Sequence, residues 1–337
     1  MPNYEEPSDE NILEWPYPVN YGKEKGVSAD VLVLGGGIAG CHTAISAARK
    51  GAKVVVVDKG PVIRSGSAGA GIDHWHDTCT SPCCKITPEE MVELGAAQTM
   101  GAGGYASGHS SYINCRESYD TLLEMEKMGM KIRDEDDEFA GAPFRDEETR
   151  LLFAYDYENK YVNRIQGANI KPVLYKELKR AGVEIYDHVM VTSLLTEGGK
   201  QGAGIAGATG LHVRTGEFYI FKAKATVLAT AQPSRLWAFS TELVGSNAEH
   251  TDPNCVGDGH AMAWRAGAKF TLMEKSAITG GPFRYPAYGT GSWHNTWYPC
   301  SIVDANEGRK SPENRIRTVP TGPRTEADFR GSCCRVL

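Results

Sequence analysis

The sequence predicts an α/β fold with a parallel sheet at its centre, on three observations. Two short uninterrupted apolar runs, Val31-Leu-Val-Leu34 and Val54-Val-Val-Val57, read as strands buried on both faces. A glycine turn, Gly35-Gly-Gly-Ile-Ala-Gly40, and a helical stretch over residues 41–50, ended by Gly51, join them into one βαβ unit of about thirty residues. Strands and helices then alternate along the chain before a small antiparallel region follows, the order of an α/β nucleotide-binding domain with a β-meander inserted. The length of 337 residues suits one large domain or two medium ones.

Each element has its own signal. Residues 1–28 carry four prolines, several acids and aromatic clusters around Trp15 and Tyr21, and are expected as an extended arm draped on a surface. After the βαβ unit, Thr87-Pro-Glu-Glu90 opens a helix: Thr87 caps it, Pro88 fits its first turn and Glu90 returns the capping-box bond. That helix is expected to run to about Met100, where Gly101-Ala-Gly-Gly104 stops it. Further helices are predicted over residues 116–128 and 171–180, with His109 left in a flexible loop. Strands follow at residues 183–186 and 189–195. Residues 207–213 and 217–222 form a meander with Thr215-Gly216 at its turn, and residues 225–230 a buried strand. His260 and Trp264 fall on a helix over residues 259–266 and are expected to serve packing.

Composition excludes several classes. Hydrophobic residues make up 41% and charged residues 23%, an ordinary globular balance. The net charge is −6 with both signs interspersed, so no basic face invites nucleic acid. The acidic run Asp134-Glu-Asp-Asp-Glu138 reads as solvated loop surface. No stretch approaches the roughly 20 apolar residues of a membrane span. The acidic, proline-rich start lacks the basic-then-apolar pattern of a secretory signal. With no such signal, nine cysteines, an odd count, favour reduced thiols and a cytoplasmic location. Cys334-Arg-Val-Leu337 resembles a prenylation box only by coincidence, since Arg335 stands where an aliphatic residue belongs.

The glycine turn carries the clearest chemistry. Gly35-x-Gly37-x-x-Gly40 follows a buried strand, opens a helix and has an acid, Asp58, eighteen residues after Gly40. Gly35 makes the tight turn, Gly37 admits a pyrophosphate to the backbone, and Gly40 lets helix and strand pack closely. The helix N-terminus stabilises phosphate charge and Asp58 accepts from ribose hydroxyls. This pattern predicts a bound dinucleotide.

V-L-V-L-G-G-G-I-A-G, Asp58 with Lys59, and R-S-G-S-A-G-A-G-I from Arg64 to Ile72 resemble the FAD domain of the succinate dehydrogenase and fumarate reductase flavoproteins. So do D-H-V-M-V-T-S-L-L from Asp187, A-T-V-L-A-T, G-D-G-H-A-M-A-W-R-A-G-A-K-F and Met273-Glu274. The R-S-G loop and F-R-Y-P-A-Y-G-T-G-S-W, from Phe283 to Trp293, bring the chain nearest the adenylylsulfate reductase alpha-subunit branch. The resemblance implies a Rossmann-like, glutathione-reductase-type FAD domain with an inserted β-meander over residues 29–275. It further implies the start of a capping domain over residues 276–317 and an atypical tail over residues 318–337. Gly35, Gly37 and Gly40 are implied to hold the FAD pyrophosphate and Asp58 the adenosine ribose, with Ile38, Ala39 and Lys59 also at the cofactor. Ser65, Gly66 and Ser67 would approach the flavin, and Val191 would offer backbone to adenine. Ala229 and Thr230 would line the second strand crossing, and Asp258 would sit near the pyrophosphate or ribityl chain.

The departures from that family also carry information. Gly66 stands where covalent members carry the flavin-linking histidine, so the FAD is expected to be noncovalent. K-S-A-I-T-G after Glu274 lacks the Gln-x-His-Pro-Thr pattern of the fumarate and succinate enzymes, which argues against dicarboxylate chemistry. A-T-A-Q replaces the usual Ala-Thr-Gly-Gly. The late Gly-Glu motif and the C-terminal half of the family are not matched, which reads as a truncated or frameshifted form. Beyond Ile72, the spacing of His74, His76, Cys79, Cys83 and Cys84 fits no standard zinc or iron–sulfur pattern. Adjacent Cys83 and Cys84 should point apart, and the cluster is left open between a metal site, a wall of the active-site approach and ordinary packing.

The expectation is an FAD-dependent oxidoreductase flavoprotein, or its N-terminal part. It would perform two-electron redox on a small organic or anionic substrate and exchange electrons with an iron–sulfur partner. Arg284, Trp293 and His294 are its substrate-side candidates. The alternatives are a noncatalytic nucleotide-binding fragment, a metal-dependent protein using the cysteine cluster and an adenylylsulfate-reductase-like alpha subunit.

Overall fold

The structure, a computed structural model, describes residues 23–97, 107–154, 157–231 and 255–271. In chain order its elements are β1 (Lys25–Leu34), α1 (Ile38–Arg49), β2 (Val54–Val57), β3 (His74–Trp75), α2 (Pro88–Ala97), α3 (Gly108–Lys127), β4 (Leu152–Phe153), β5 (Asn163–Arg164), α4 (Ile170–Arg180), β6 (Glu184–Tyr186), β7 (Val189–Thr196), β8 (Ile205–His212), β9 (Phe218–Leu228) and α5 (Asp258–Arg265). The chain divides into two compact units, one taking residues 23–66, 178–231 and 257–269 and the other centred on residues 67–177.

The first unit is built on a six-stranded sheet in the order β6-β2-β1-β9-β8-β7. The first four of these run parallel, and β9, β8 and β7 pair antiparallel. Val31 pairs with Val54 and Leu34 with Val57, and all four valines of β2 are buried. Side chains alternate between faces along a strand. Leu32, Leu34, Val55 and Val57 accordingly form one core with Val189, Ala208, Tyr219 and Phe221. Gly40, Cys41, Ala44 and Ile45 are the buried face of α1.

The mixed α/β architecture is the one predicted, and its details differ in instructive ways. β1 starts at Lys25 rather than Val31, because Lys25–Ala29 pair in register with Tyr219–Ala223. The strand therefore takes in the last residues of the expected arm. The strands predicted at 217–222 and 225–230 are one continuous strand, β9. Its first residues pair with β8 on one side while the whole strand follows β1 on the other, so no break is needed. That strand is not buried throughout: Lys222, Lys224, Ala225 and Leu228 are exposed. On α5, Trp264 is 70% exposed, which overturns the expectation that it packs.

In the second unit the capping box forms as read. The Thr87 backbone N–H donates to Glu90 Oε2 at 2.8 Å, and the Glu90 N–H donates to Thr87 Oγ1 at 3.2 Å. α3 begins at Gly108, eight residues before the predicted start, because Ser107 Oγ accepts the Ser110 N–H at 3.3 Å and caps it there. His109 thus lies in a helical first turn rather than a flexible loop. The expected helix end near Met100 and its glycine stop lie outside the described residues. A small antiparallel sheet, β3-β5-β4, has strands of two residues each, too short to leave a periodic signal.

The acidic run corrects another expectation. Asp134 is only 4% exposed, and its carboxylate accepts the N–H groups of Glu138 and Phe139 at 3.1 and 3.0 Å and Arg145 Nε at 2.9 Å. The Arg145 guanidinium also pairs with Asp137 and Glu147. Part of the run wraps a buried cation instead of facing water, since a buried guanidinium requires compensating charge and acceptors.

Candidate functional site

The three motif glycines are required for different reasons. Gly35 has φ +103°, and a Cβ there would fall 2.3 Å from the Ala229 carbonyl oxygen. A Cβ on Gly40 would fall 1.8 Å from the Gly35 oxygen. Both positions are fixed by the protein's own packing. At Gly37, by contrast, φ is −65°, open to any residue, and the nearest atom to a Cβ would be Gly66 Cα at 3.9 Å. No packing demand explains this glycine, and the space beside it is a cradle that a side chain would fill. α1 opens there with no side-chain cap and no acid in its first turn, leaving its positive end to an anion.

Asp58 organises the turn. Its Oδ2 accepts the Gly36 N–H at 2.6 Å and its Oδ1 the Gly60 N–H at 2.7 Å. A carboxylate has about four acceptor sites, so two remain for hydroxyl groups. The R-S-G loop is tied to the same turn. Ser65 Oγ donates to the Gly36 oxygen at 3.0 Å. Gly66 has φ +82°, and a Cβ on it would fall 3.0 Å from Gly37 Cα. Here the backbones of the two glycine motifs pass so closely that neither side chain nor ordinary φ is accommodated at Gly66. Ser67 is exposed and begins the second unit.

The remaining predicted positions among the described residues lie in the same unit. Lys59 Nζ and Asp258 Oδ2, both expected at the cofactor, form an ion pair with each other at 2.9 Å. Ala229 donates its N–H to the Leu34 oxygen at 2.8 Å. Thr230 lies against α5: a Cβ on Gly259 would fall 1.9 Å from its Oγ1. Thr230 thus meets the N-terminus of α5 at the small residue after Asp258. Val191 sits at a bulge, where β7 shifts register against β8 between Val191 and Ser193. Arg284, Trp293 and His294 lie outside the described residues.

Two residues that sequence reasoning passed over complete the arrangement. Val62 is fully buried, and its N–H donates to Asp187 Oδ1 at 2.7 Å. Asp187 belonged to a quoted motif but carried no assigned role. Its partner lies 125 residues away, beyond any local spacing rule.

The histidine and cysteine stretch is built differently. His74 Nδ1 bonds Asp73 Oδ1 at 2.6 Å, and that bond holds the Asp73 carboxyl below its ordinary range. Cys83 Sγ meets Thr149 Oγ1 at 3.2 Å, whereas Cys84 Sγ donates to the Ile86 oxygen at 3.3 Å, so the adjacent thiols do point apart. Cys79 contacts the thiols of Cys84 and of Cys115 on α3. Its hydrogen bond to Cys84, with burial, pushes its pKa upward, and burial does the same at Cys115. Both stay protonated at neutral pH, the state of packing thiols rather than nucleophiles. Among the described residues no group of three or more His, Cys, Asp or Glu side chains is arranged to hold a metal ion. No helix among them is long and apolar enough to cross a membrane.

A family described as FAD binding domain matches residues 30–284. The chain belongs to this FAD-binding family. FAD is the cofactor of that domain, and the cradle at Gly37 fits its pyrophosphate. One subunit of the fumarate reductase (CoM/CoB) of Methanothermobacter marburgensis is 28% identical over 253 residues, covering 73% of this chain and 41% of that protein. Adenylylsulfate reductase from Archaeoglobus fulgidus is 27% identical with a TM-score of 0.59, covering 74% of this chain and 39% of that one. A 3-ketosteroid-delta4-(5alpha)-dehydrogenase from Rhodococcus jostii RHA1, 20% identical with a TM-score of 0.57, covers 74% of this chain and 56% of that one and shares the fold. The chain therefore spans 41% and 39% of the first two relatives' lengths.

Proposed function

We propose that this chain holds FAD noncovalently and serves as an FAD-dependent oxidoreductase flavoprotein, or as the N-terminal part of one. The observation that carries the reading is the cradle at Gly37, a glycine with no steric need of its own, facing an uncapped helix N-terminus beside the Ser65-Gly66 loop. Gly37 to Gly40 would bind the pyrophosphate, and Asp58 would use its spare acceptor sites on the ribose. Val191 would meet adenine with its backbone. Lys59 and Asp258 would border the pyrophosphate, with Lys59 offsetting the repulsion between that carboxylate and the phosphates. Ser65, Gly66 and Ser67 would face the flavin ring, and Gly66 offers no side chain for covalent attachment. Bound FAD supplies two-electron chemistry and can release electrons singly to an iron–sulfur partner.

The substrate would be small and organic or anionic. Two relatives more than 25% identical are named as a fumarate reductase and an adenylylsulfate reductase, and fumarate and adenylylsulfate are anions. Arg284 is the proposed anion clamp, with Trp293 and His294 beside the substrate.

Titration calorimetry with FAD and with ADP tests the reading. FAD binding about tenfold or more tighter than ADP supports it, because the excess reports contacts to the flavin half. Equal affinities support the second reading instead: a noncatalytic module that binds only the nucleotide half.

A further inference from the structure

We infer that Asp187 is a positioning residue that fixes the Ser65-Gly66 loop on the glycine turn, although it touches neither nucleotide nor flavin in the proposed site. The inference rests on the FAD reading for its functional meaning and on geometry alone for the clamp itself.

The turn between β6 and β7 is Asp187-His188, and His188 has φ +61°, a left-handed conformation uncommon for a non-glycine residue. That turn is bound to residues 58–62 at four points. The Asp58 N–H donates to the Tyr186 oxygen at 3.1 Å, and the Val189 N–H to the Asp58 oxygen at 2.9 Å. The His188 N–H reaches the Gly60 oxygen at 3.4 Å, and the Val62 N–H reaches Asp187 Oδ1 at 2.7 Å. Of these four, only the last uses a side chain, so only that one depends on residue identity.

Val62 transmits the constraint. Its side chain presses on the glycine turn so closely that a Cβ on Gly36 would fall 2.6 Å from Val62 Cγ2. Its carbonyl accepts both the Ser65 N–H and Ser65 Oγ at 3.4 Å. Without the Asp187 carboxylate, a buried N–H loses its acceptor and the loop from Gly60 to Gly66 loses its carboxylate tether to the β6–β7 turn. The glycine turn keeps anchors of its own, from Gly35 N–H to the Val57 oxygen and from Gly36 N–H to Asp58. Loosening Asp187 should therefore weaken the flavin half of the site and spare the nucleotide half.

Two variants and two readouts test this on the full chain. Asp187→Asn keeps the Oδ1 acceptor, and Asp187→Ala removes it. Lys59 precedes the tethered loop and Arg64 lies within it, and both are exposed, so limited trypsin digestion reads its anchoring with no ligand present. Cleavage after Arg64 should be about tenfold faster in the alanine variant than in wild type, with the asparagine variant close to wild type. In calorimetry the alanine variant should bind FAD about tenfold more weakly and ADP within about twofold of wild type. Equal cleavage of all three proteins, an asparagine variant that behaves like alanine, or FAD and ADP weakened alike would each overturn the inference. A wild type that binds FAD and ADP equally would instead overturn the FAD reading, while the cleavage rates still decide the clamp. Should the alanine variant not fold, hydrogen exchange at Val62 in the wild type decides. A protected amide supports the clamp, and one exchanging at the rate of an open loop overturns it.

Discussion

At the residue scale, three glycines of one motif are held by three different causes, and substitution separates them. Gly40→Ala places a methyl 1.8 Å from a backbone oxygen and should cost about 3 kcal/mol or more of stability. Gly37→Ala meets nothing closer than 3.9 Å at an ordinary φ and should cost within about 1 kcal/mol. Yet the new methyl would occupy the cradle, so ADP and FAD affinity should fall at least about tenfold with the fold intact. Denaturant titration beside calorimetry reads both quantities. A Gly37→Ala protein that bound ADP like wild type would remove the cradle from the argument. The motif spacing made all three glycines legible in the sequence. That Gly37 alone is free of packing demands was not legible, because the strand crossing that crowds Gly35 at Ala229 lies almost two hundred residues away.

At the scale of elements, local signals are legible in the sequence and signals resting on distant partners are not. The α2 capping box is self-contained within four residues, and both of its predicted bonds form. Thr87→Ala removes one of them and should cost about 1 kcal/mol, lowering the melting temperature by a few degrees. A melting temperature equal to wild type would mean that α2 does not limit the stability of its unit. The early start of α3 depended on a single serine cap inside a glycine- and serine-rich stretch, where residue types alone favour a loop. The sequence divides β9 in two because Ala223 and Lys224 interrupt its apolar run, while ladder bonds to β1 carry the strand through. The same limit applies to Asp134, whose burial follows from Arg145, eleven residues on.

At the scale of the whole molecule, the glycine turn, the Ser65-Gly66 loop, the Asp187 clamp, the Thr230 crossing and the start of α5 all belong to one compact unit, assembled from three separate stretches of chain. The thiol contacts around Cys79 and the Arg145 network belong to the other. A nucleotide that binds only the folded first unit stabilises it by mass action, by about 2.7 kcal/mol at a hundredfold excess over Kd. Saturating ADP should therefore slow amide exchange at residues 35–41, 58–60, 189–191 and 258–262, because these are proposed to close around the nucleotide half. Residues 112–125 and 144–153 should exchange as they do without ligand, since no proposed ADP contact lies among them. Protection spread evenly over both sets would mean that the chain unfolds as one cooperative block and that the division into units carries no energetic meaning. Protection confined to the second set would place the nucleotide elsewhere and remove the glycine turn as its site. Replacing ADP by FAD then isolates the flavin half. Any protection FAD adds near Ser65 to Ile72 marks where the ring lies, in the loop whose function the sequence assigns only by resemblance.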